Sequence, residues 1–319
     1  MLPNNILITQ NPGADIQNFL SKKEYSRMAV LTDENTTSVC YPLLKDSLPA
    51  HTLIKIQSGE ESKNLQTCSV IWRAMTEARL DRHSVLVIIG GGVLGDMGGF
   101  CAATYKRGID FIMFPTTLLA QADASIGGKL GIDFDHFKNH IGIFQESALN
   151  LIYCGFLKTL PKNELRSGFA EVIKHALISN KKLWNEIRSK ELSDQPWEIL
   201  VPESVAFKCS VVKQDPFEKG LRKVLNAGHT IGHALESFFL ANGNKILHGE
   251  AIAAGLITEA YLAMKRNMLD ESSLQEIRAY ILNIFGKLNI REDQVKGISD
   301  LCLQDKKNKG NSVLCVLPN

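Results

Sequence analysis

Asn226-Ala-Gly-His229-Thr-Ile-Gly-His233, followed by His248-Gly-Glu250, holds the densest chemistry in this sequence. Two histidines four residues apart fall on one helical face, because four residues advance an α-helix by about one turn. Both imidazoles can then converge on one point, as a metal ion requires. His248 arrives from a separate segment, and Glu171-Val-Ile-Lys174 sets a carboxylate and an ammonium on another apolar helix. Imidazole nitrogens with a carboxylate oxygen suit zinc or a similar divalent ion. A histidine pair of this spacing also occurs in ordinary helix packing. His248 and Glu171 favour the metal, since an unpartnered ionisable group among apolar residues is costly to bury.

A second signature lies upstream. The apolar run Val85-Leu-Val-Ile-Ile enters Gly90-Gly91-Gly92-Val-Leu-Gly95-Asp96, and helical spacing follows from Met97 to Thr104. A strand, a glycine turn and a helix N-terminus make an anion cradle, where the backbone approaches closely and unpaired N–H groups face the ligand. The pattern is not Gly-x-Gly-x-x-Gly, so a tight strand-to-helix turn without a ligand is the competing reading. Asp33 and Asn35 follow one strand, and Pro115-Thr116-Thr117 follows another. Each could meet a ribose or a diphosphate, though each is also ordinary turn chemistry. A third cluster is basic: Arg107-Gly108, Asp123 to Lys129 with Gly127 and Gly128, Lys138-Asn139, Lys174, Lys208 and Arg222. Arginine forks and lysine charges beside glycines or on apolar helices fit a small substrate carrying phosphate and carboxylate.

The elements that must position these groups divide near the middle of the chain. Before about Leu160, the runs Met28 to Thr32, His51 to Ile56, Val85 to Ile89 and Phe111 to Phe114 predict strands, and Leu65 to Leu80 a helix. That alternation predicts a mostly parallel sheet covered by helices. Beyond Pro161 the spacing predicts helices over Asn163 to Ser179, Pro202 to Lys213, Thr230 to Leu240, Glu250 to Asn267 and Ser272 to Leu288, with a strand from Ser312 to Leu317. The expected fold is an α/β domain over residues 1–160 and a helical domain over 161–319, with the active site in the cleft between them.

Composition supports an ordinary folded enzyme. At 319 residues the chain exceeds one typical core; it is 45% hydrophobic and 22% charged. A formal net charge of +2 provides no global field for nucleic acid or an anionic membrane, and the basic residues are not interleaved with aromatics. Seven scattered cysteines without Cys-x-x-Cys suggest reduced thiols rather than a disulfide framework. The first residues lack a signal-peptide pattern and no apolar run is long enough to span a bilayer, so a cytoplasmic location is expected.

Taken in order, Gly90-Gly-Gly-Val-Leu-Gly-Asp96, Ala103-Thr-Tyr-Lys-Arg107-Gly108, Pro115-Thr-Thr-Leu-Leu-Ala-Gln121, Ser125-Ile-Gly-Gly-Lys129, Lys138-Asn139-His-Ile-Gly142, Leu160-Pro161, Ala170-Glu171-Val-Ile-Lys174, Gly220-Leu-Arg222, the two histidine motifs and Asp305-Lys306-Lys307 form a recognisable series. The sequence strongly resembles the 3-dehydroquinate synthases of the sugar-phosphate cyclase family, from about Asp33 to Pro318. The resemblance implies an NAD-binding α/β domain, a helical domain and a homodimer. It implies Glu171, His229 and His248 as ligands to zinc or cobalt. This revises the reading of His233, which would instead face the substrate as a polar or proton-transfer group. Implied cofactor contacts are Asp33, Asn35, Glu60, Lys63, Gly91, Gly92, Asp96, Thr116, Thr117 and Lys138. Implied substrate contacts are Asp123, Lys129, Asn139, Lys174, Lys208, Arg222, Asn226, His233 and Lys306, with Arg107 reaching the substrate phosphate across the dimer.

The implied reaction converts 3-deoxy-D-arabino-heptulosonate 7-phosphate to 3-dehydroquinate and phosphate. A ring hydroxyl gives a hydride to NAD, phosphate is eliminated, the hydride returns, and ring opening precedes an intramolecular aldol closure. Three positions depart from the family's usual pattern: Leu130 stands for threonine, Asp133 for asparagine, and Pro216 for an acid. The alternatives are a related cyclase such as a 2-deoxy-scyllo-inosose synthase, a metal-dependent polyol or glycerol dehydrogenase, and a non-catalytic binding protein.

Overall fold

The structure, a computed structural model, describes residues 2–135, 137–303, 313 and 315–317. It divides into two compact units, Met1–Pro161 and Lys162–Asn319. The first is built from β1 (Ile6–Ile8), α1 (Pro12–Leu20), β2 (Met28–Asp33), α2 (Glu34–Val39), β3 (Thr52–Ile56), α3 (Leu65–Glu77), β4 (Val85–Gly90), α4 (Gly92–Thr104), β5 (Asp110–Pro115), β6 (Lys129–Phe134), β7 (Phe137–Phe144) and β8 (Leu149–Ile152). Six strands form one parallel sheet in the order β1-β8-β5-β4-β2-β3. β6 and β7 form a separate antiparallel hairpin.

Alternation along the strands feeds two cores. Ala29, Leu31, Leu86, Ile88, Phe111 and Met113 pack with α3 and α4 on one face. Val30, Val85, Val87, Ile89, Ile112 and Phe114 pack with α1 on the other. Burial on both faces is why β4 reads as an unbroken apolar run. The chain passes from β2 outward to β3 and then returns to β4 on β2's other side. The carboxyl ends of β2 and β4 therefore flank a topological switch point, where open α/β sheets form ligand crevices.

The second unit contains α5 (Lys162–Ser179), α6 (Lys181–Arg188), α7 (Trp197–Gln214), α8 (His229–Ala241), α9 (His248–Lys265), α10 (Glu271–Phe285) and α11 (Glu292–Leu303). Among the described residues it has no strand. No described helix is long and apolar enough to cross a membrane. Six of the seven cysteines are buried.

Several boundaries differ from the sequence reading. α4 begins at Gly92 rather than near Met97, with Gly91 as its extended N-cap, so the glycines lie in its first turns. α7 begins at Trp197, before Pro202. There Trp197 meets Phe169 edge-on with ring centroids 5.5 Å apart, and Leu200 and Val201 are buried, so packing outweighs the proline. α10 stops at Phe285, where Gly286 takes a backbone of φ 74° and ψ −173° that side-chain-bearing residues rarely adopt. The expected tail strand is not present among its described residues Val313 and Cys315 to Leu317, which join no ladder. The remainder of that segment, with Asp305, Lys306 and Lys307, lies outside the described residues.

Candidate active site

In the first unit, the predicted cofactor residues gather at the carboxyl edge of the sheet. Gly91 caps α4, whose first N–H groups are free of helical partners by construction. Thr116 donates its backbone N–H to Gly90 O at 3.0 Å, and a Cβ on Gly91 would stand 2.9 Å from Thr117 Cγ2. A small, partly open pocket lies over Gly91, Gly92, Asp96, Pro115, Ala124 and Ser125. Asp33 ends β2, and its Oδ1 accepts the Thr36 N–H at 2.7 Å as the cap of α2. Asn35 is exposed on that helix.

Lys63 organises a charged network beside this cradle. Its ammonium is only 4% exposed and donates to Asp96 Oδ2 at 2.7 Å and to Asn139 Oδ1 at 2.5 Å. Burial opposes its charge, but Asp96, Glu60 and Asp133 outweigh that and raise its pKa. Lys138 lies 3.8 Å from Glu60 Oε1. Asn139 adopts φ 51°, with its N–H held by Asp133 Oδ1 at 2.7 Å. Asp133 thus anchors the hairpin. Leu130 is 5% exposed and faces α4 at Gly99, where a hydroxyl would have no packing role.

Asp123 and Lys129 bracket the turn with left-handed Gly127 and Gly128; Lys129 is exposed. Arg107 does not join the cradle. It follows the C-terminal end of α4, the opposite end from Gly91 and Gly92, and is exposed.

In the second unit, three helices bring side chains to one carboxylate. Glu171 on α5 is fully buried; its Oε1 stands 3.5 Å from His229 Nε2 and 3.3 Å from His248 Nε2. Donors about 2.1 Å from a shared tetrahedral ion lie about 3.4 Å apart, so these separations suit zinc or cobalt. Glu171 Oε2 pairs with the ammonium of Lys174, one turn away and 1% exposed. The other ring nitrogens are held from behind, His229 Nδ1 at 3.0 Å from Ala227 O and His248 Nδ1 at 3.1 Å from Glu236 Oε2. Acceptors behind Nδ1 favour a proton there, which would leave each Nε2, on the Glu171 side, to a shared ion when one is bound. Without an ion, burial pulls the His229 pKa down to about 3 against the attraction of Glu171. For His248, burial is outweighed by hydrogen bonds to Glu171 and Glu236, and its pKa rises to about 10.

Backbone packing fixes this convergence. Gly228 caps α8 at φ 76° and donates its N–H to Glu259 Oε2 at 2.6 Å. A Cβ on Gly249 would stand 2.0 Å from Ser167 O, and the Gly249 N–H donates to Ser167 Oγ at 2.9 Å. Arg166 holds Glu250 at 2.5 Å, tying α5 to the start of α9.

His233 is exposed, with its ring centroid 5.1 Å from that of His229 and 6.1 Å from that of His248. It falls in a separate group with Glu236 and His248, not with Glu171. Lys208 and Arg222 are buried. Asp215 accepts the N–H groups of Lys219, Gly220 and Arg222, while Arg222 donates to Pro216 O at 2.5 Å. A backbone carbonyl does this work, which any residue at 216 supplies. Asn226 donates to Glu218 Oε1 at 2.6 Å. Glu218, Glu236 and Glu259 were missed by sequence reasoning. For Glu236 and Glu259 the available signal was a carboxylate on an otherwise apolar helix face; for Glu218 it was a loop acid near Arg222.

Comparison with known proteins agrees with this geometry. The family described as 3-dehydroquinate synthase N-terminal matches residues 53–167, and that described as 3-dehydroquinate synthase C-terminal matches residues 168–308. A 3-dehydroquinate synthase of Parabacteroides distasonis is 38% identical over 98% of this chain and 90% of its own length. The fold is shared with 2-epi-5-epi-valiolone synthase of Streptomyces hygroscopicus subsp. jinggangensis, solved with NAD+ and Zn2+: TM-score 0.87, 24% identity, covering 100% of this chain and 90% of that one. It is shared also with a 2-deoxy-scyllo-inosose synthase complexed with carbaglucose-6-phosphate, NAD+ and Co2+: TM-score 0.84, 24% identity, covering 95% and 84%. Identity of 38% along nearly the whole of both chains, with family matches across both units, decides the matter: the chain belongs to the 3-dehydroquinate synthase family.

Proposed function

We propose that this chain converts 3-deoxy-D-arabino-heptulosonate 7-phosphate to 3-dehydroquinate and phosphate, a carbon–oxygen lyase reaction of the shikimate pathway to aromatic amino acids. The observation that carries it is the meeting of Glu171, His229 and His248 in a chain matched along its length by dehydroquinate synthases. These three residues would hold zinc or cobalt, and the donor set fits either ion. When bound, the ion supplies Lewis acidity toward a substrate oxygen. NAD supplies a reversible hydride acceptor, so the reaction has no net redox change.

The chain's own residues do the rest. Gly91 and Gly92 offer N–H groups to the NAD diphosphate, Thr116 and Thr117 add hydroxyls, and Asp33 and Asn35 take a ribose. Glu60, Lys63, Asp96 and Lys138 complete the cofactor set. Lys129, Lys174, Lys208 and Arg222 bind the substrate anions and stabilise charge where it develops, and Lys306 joins them. Asp123, Asn139 and Asn226 orient hydroxyls, and His233 holds or moves a proton beside the metal.

Arg107 supports a homodimer. Lys106, Arg107 and Gly108 hold φ of 50°, 71° and 106° in succession, a costly backbone for two side-chain-bearing residues. The 13-residue α4, about 20 Å long, separates that turn from Gly92, so Arg107 serves the substrate phosphate of a second copy. Mixing Arg107→Ala with His248→Ala protein restores activity if the subunits exchange such an arginine; a mixture as inactive as its parents removes this role. The principal test is phosphate release from the heptulosonate phosphate with catalytic NAD, before and after chelation. Accumulation of NADH in place of phosphate would point to a dehydrogenase and overturn the reading.

A further inference from the structure

We infer that Glu236 is a positioning residue for the metal centre: its buried carboxylate, acting through His248, sets how tightly the ion is held. The inference rests on Glu171, His229 and His248 as the ligands. Glu236 lies seven residues after His229 on α8, two turns along the same face, and is 8% exposed among Ala234, Leu235 and Phe239. A carboxylate in such a setting is costly to desolvate, and a leucine would fill the site without that penalty. What the carboxylate does there is meet His248 Nδ1 at 3.1 Å.

The two histidines are supported unequally. His229 Nδ1 has a neutral carbonyl behind it, Ala227 O at 3.0 Å, whereas His248 has a carboxylate. A carboxylate acceptor fixes the tautomer and orientation of the ring and raises the donor strength of the opposite nitrogen. His248 also stands first in a helix whose preceding residues are loop, so its ring direction depends more on this contact. Glu236 could instead ligate an ion itself, with His233 and His248. A neutral imidazole offers a single lone pair, however, so His248 serves one group at a time. The buried Glu171, with Lys174 behind it, makes the drier and more complete site.

The experiment measures zinc affinity of the full-length protein by chelator competition, independently of turnover, for wild type, Glu236→Leu, Glu236→Gln and His248→Ala. Glu236→Leu is expected to weaken zinc binding about 10- to 100-fold. Glu236→Gln, whose amide oxygen still accepts from Nδ1–H and whose volume is conserved, loses less. The visible spectrum of the cobalt-loaded protein shifts in the same order. Unchanged zinc affinity in both glutamate variants overturns the inference, as does loss of a second bound ion with the first held normally. His248→Ala separates the two levels: zinc affinity equal to wild type there removes the ligand assignment itself. If His248→Ala abolishes binding while both Glu236 variants bind normally, only the role of Glu236 falls. Should Glu236→Leu fail to fold, the isosteric Glu236→Gln alone decides by the same readouts.

Discussion

The cofactor edge of the first unit and the metal centre of the second solve the same problem by different means. Around Gly90 to Asp96 the proposed binding groups are mainly backbone N–H donors of one continuous strand–turn–helix segment, with Thr116 and Thr117 beside it just after β5. Around Glu171 every donor is a side chain, and the three come from α5, α8 and α9. A backbone cradle needs little beyond a turn that lets the ligand approach. A side-chain centre needs a second layer, and here Lys174, Ala227, Glu236, Glu259 and Ser167 supply it. The first therefore tolerates change around it, while the second depends on distant positions.

The largest expected effect breaks the metal centre. His248→Ala should lower turnover by about 10^3-fold or more, since a Lewis acid supplies several kcal/mol of charge stabilisation. NAD titration of that variant should remain as in wild type, because the cradle belongs to the other unit; turnover in metal-free protein would rule out the ligand assignment. Next, Lys129→Ala should cost about 10^2- to 10^3-fold in kcat/KM, the usual loss for one donor aimed at developing charge. Calorimetry that found NAD affinity lost and substrate affinity intact would reverse the roles given to the two regions.

Stability separates the regions further. Lys63→Met leaves Asp96 facing an apolar side chain, and breaking a buried pair from one side costs about 3–5 kcal/mol. Asp96 is 21% exposed, so water screens it and the lower end applies. Urea unfolding that showed no loss would mean that water fully replaces the ammonium. Gly228→Ala should cost about 1–3 kcal/mol from strain at positive φ, with its Cβ 2.9 Å from Ile252 O, and should weaken zinc binding through His229.

The comparison is sharpened also by a pH dependence of the chelated protein. His229 has its folded pKa depressed to about 3, so its contribution is intact above the unfolded value near 6.5 and is lost as pH falls toward 3. His248, raised to about 10, contributes fully below 6.5 and loses that contribution as pH climbs through 10. Between them the apo-protein should be most stable near pH 6.5. Zinc should remove the alkaline loss, because the ion takes the place of the proton on Nε2. Melting curves across pH, with and without zinc, give the comparison; identical profiles would dissociate these histidines from the ion.

The two regions also differ in how far they can be read without coordinates. β4 and its glycine turn were legible because strand, turn and helix start are local, and both-face burial leaves an unbroken apolar run. The histidine spacing pointed to a metal for a similar reason, the helical period. It could not say which of His229, His233 and His248 share an ion; the bare spacing favours the i,i+4 pair, whereas the folded chain sets His229 and His248 around Glu171. The strands β1 and β8, the β6–β7 hairpin and α6 and α11 were not read; three- and four-residue strands such as β1 and β8 form only because neighbours complete them. The starts of α4 and α7 were missed because propensity argued against Gly92 and Pro202, and packing overrode it.

The linear order of residues thus determined the parallel α/β half, the helical half, the glycine turn after β4 and the chemical types of the candidate ligands. These follow from periodicity and backbone stereochemistry, which act over a few residues. Tertiary structure alone decided that Glu171 Oε1 faces two Nε2 atoms, that Lys63 joins Asp96 to Asn139, that Arg107 lies away from its own cradle, and that Glu236 stands behind His248. Those relations depend on helices far apart in sequence being pressed together at glycine contacts such as Gly249 on Ser167, and no local rule encodes such a distance.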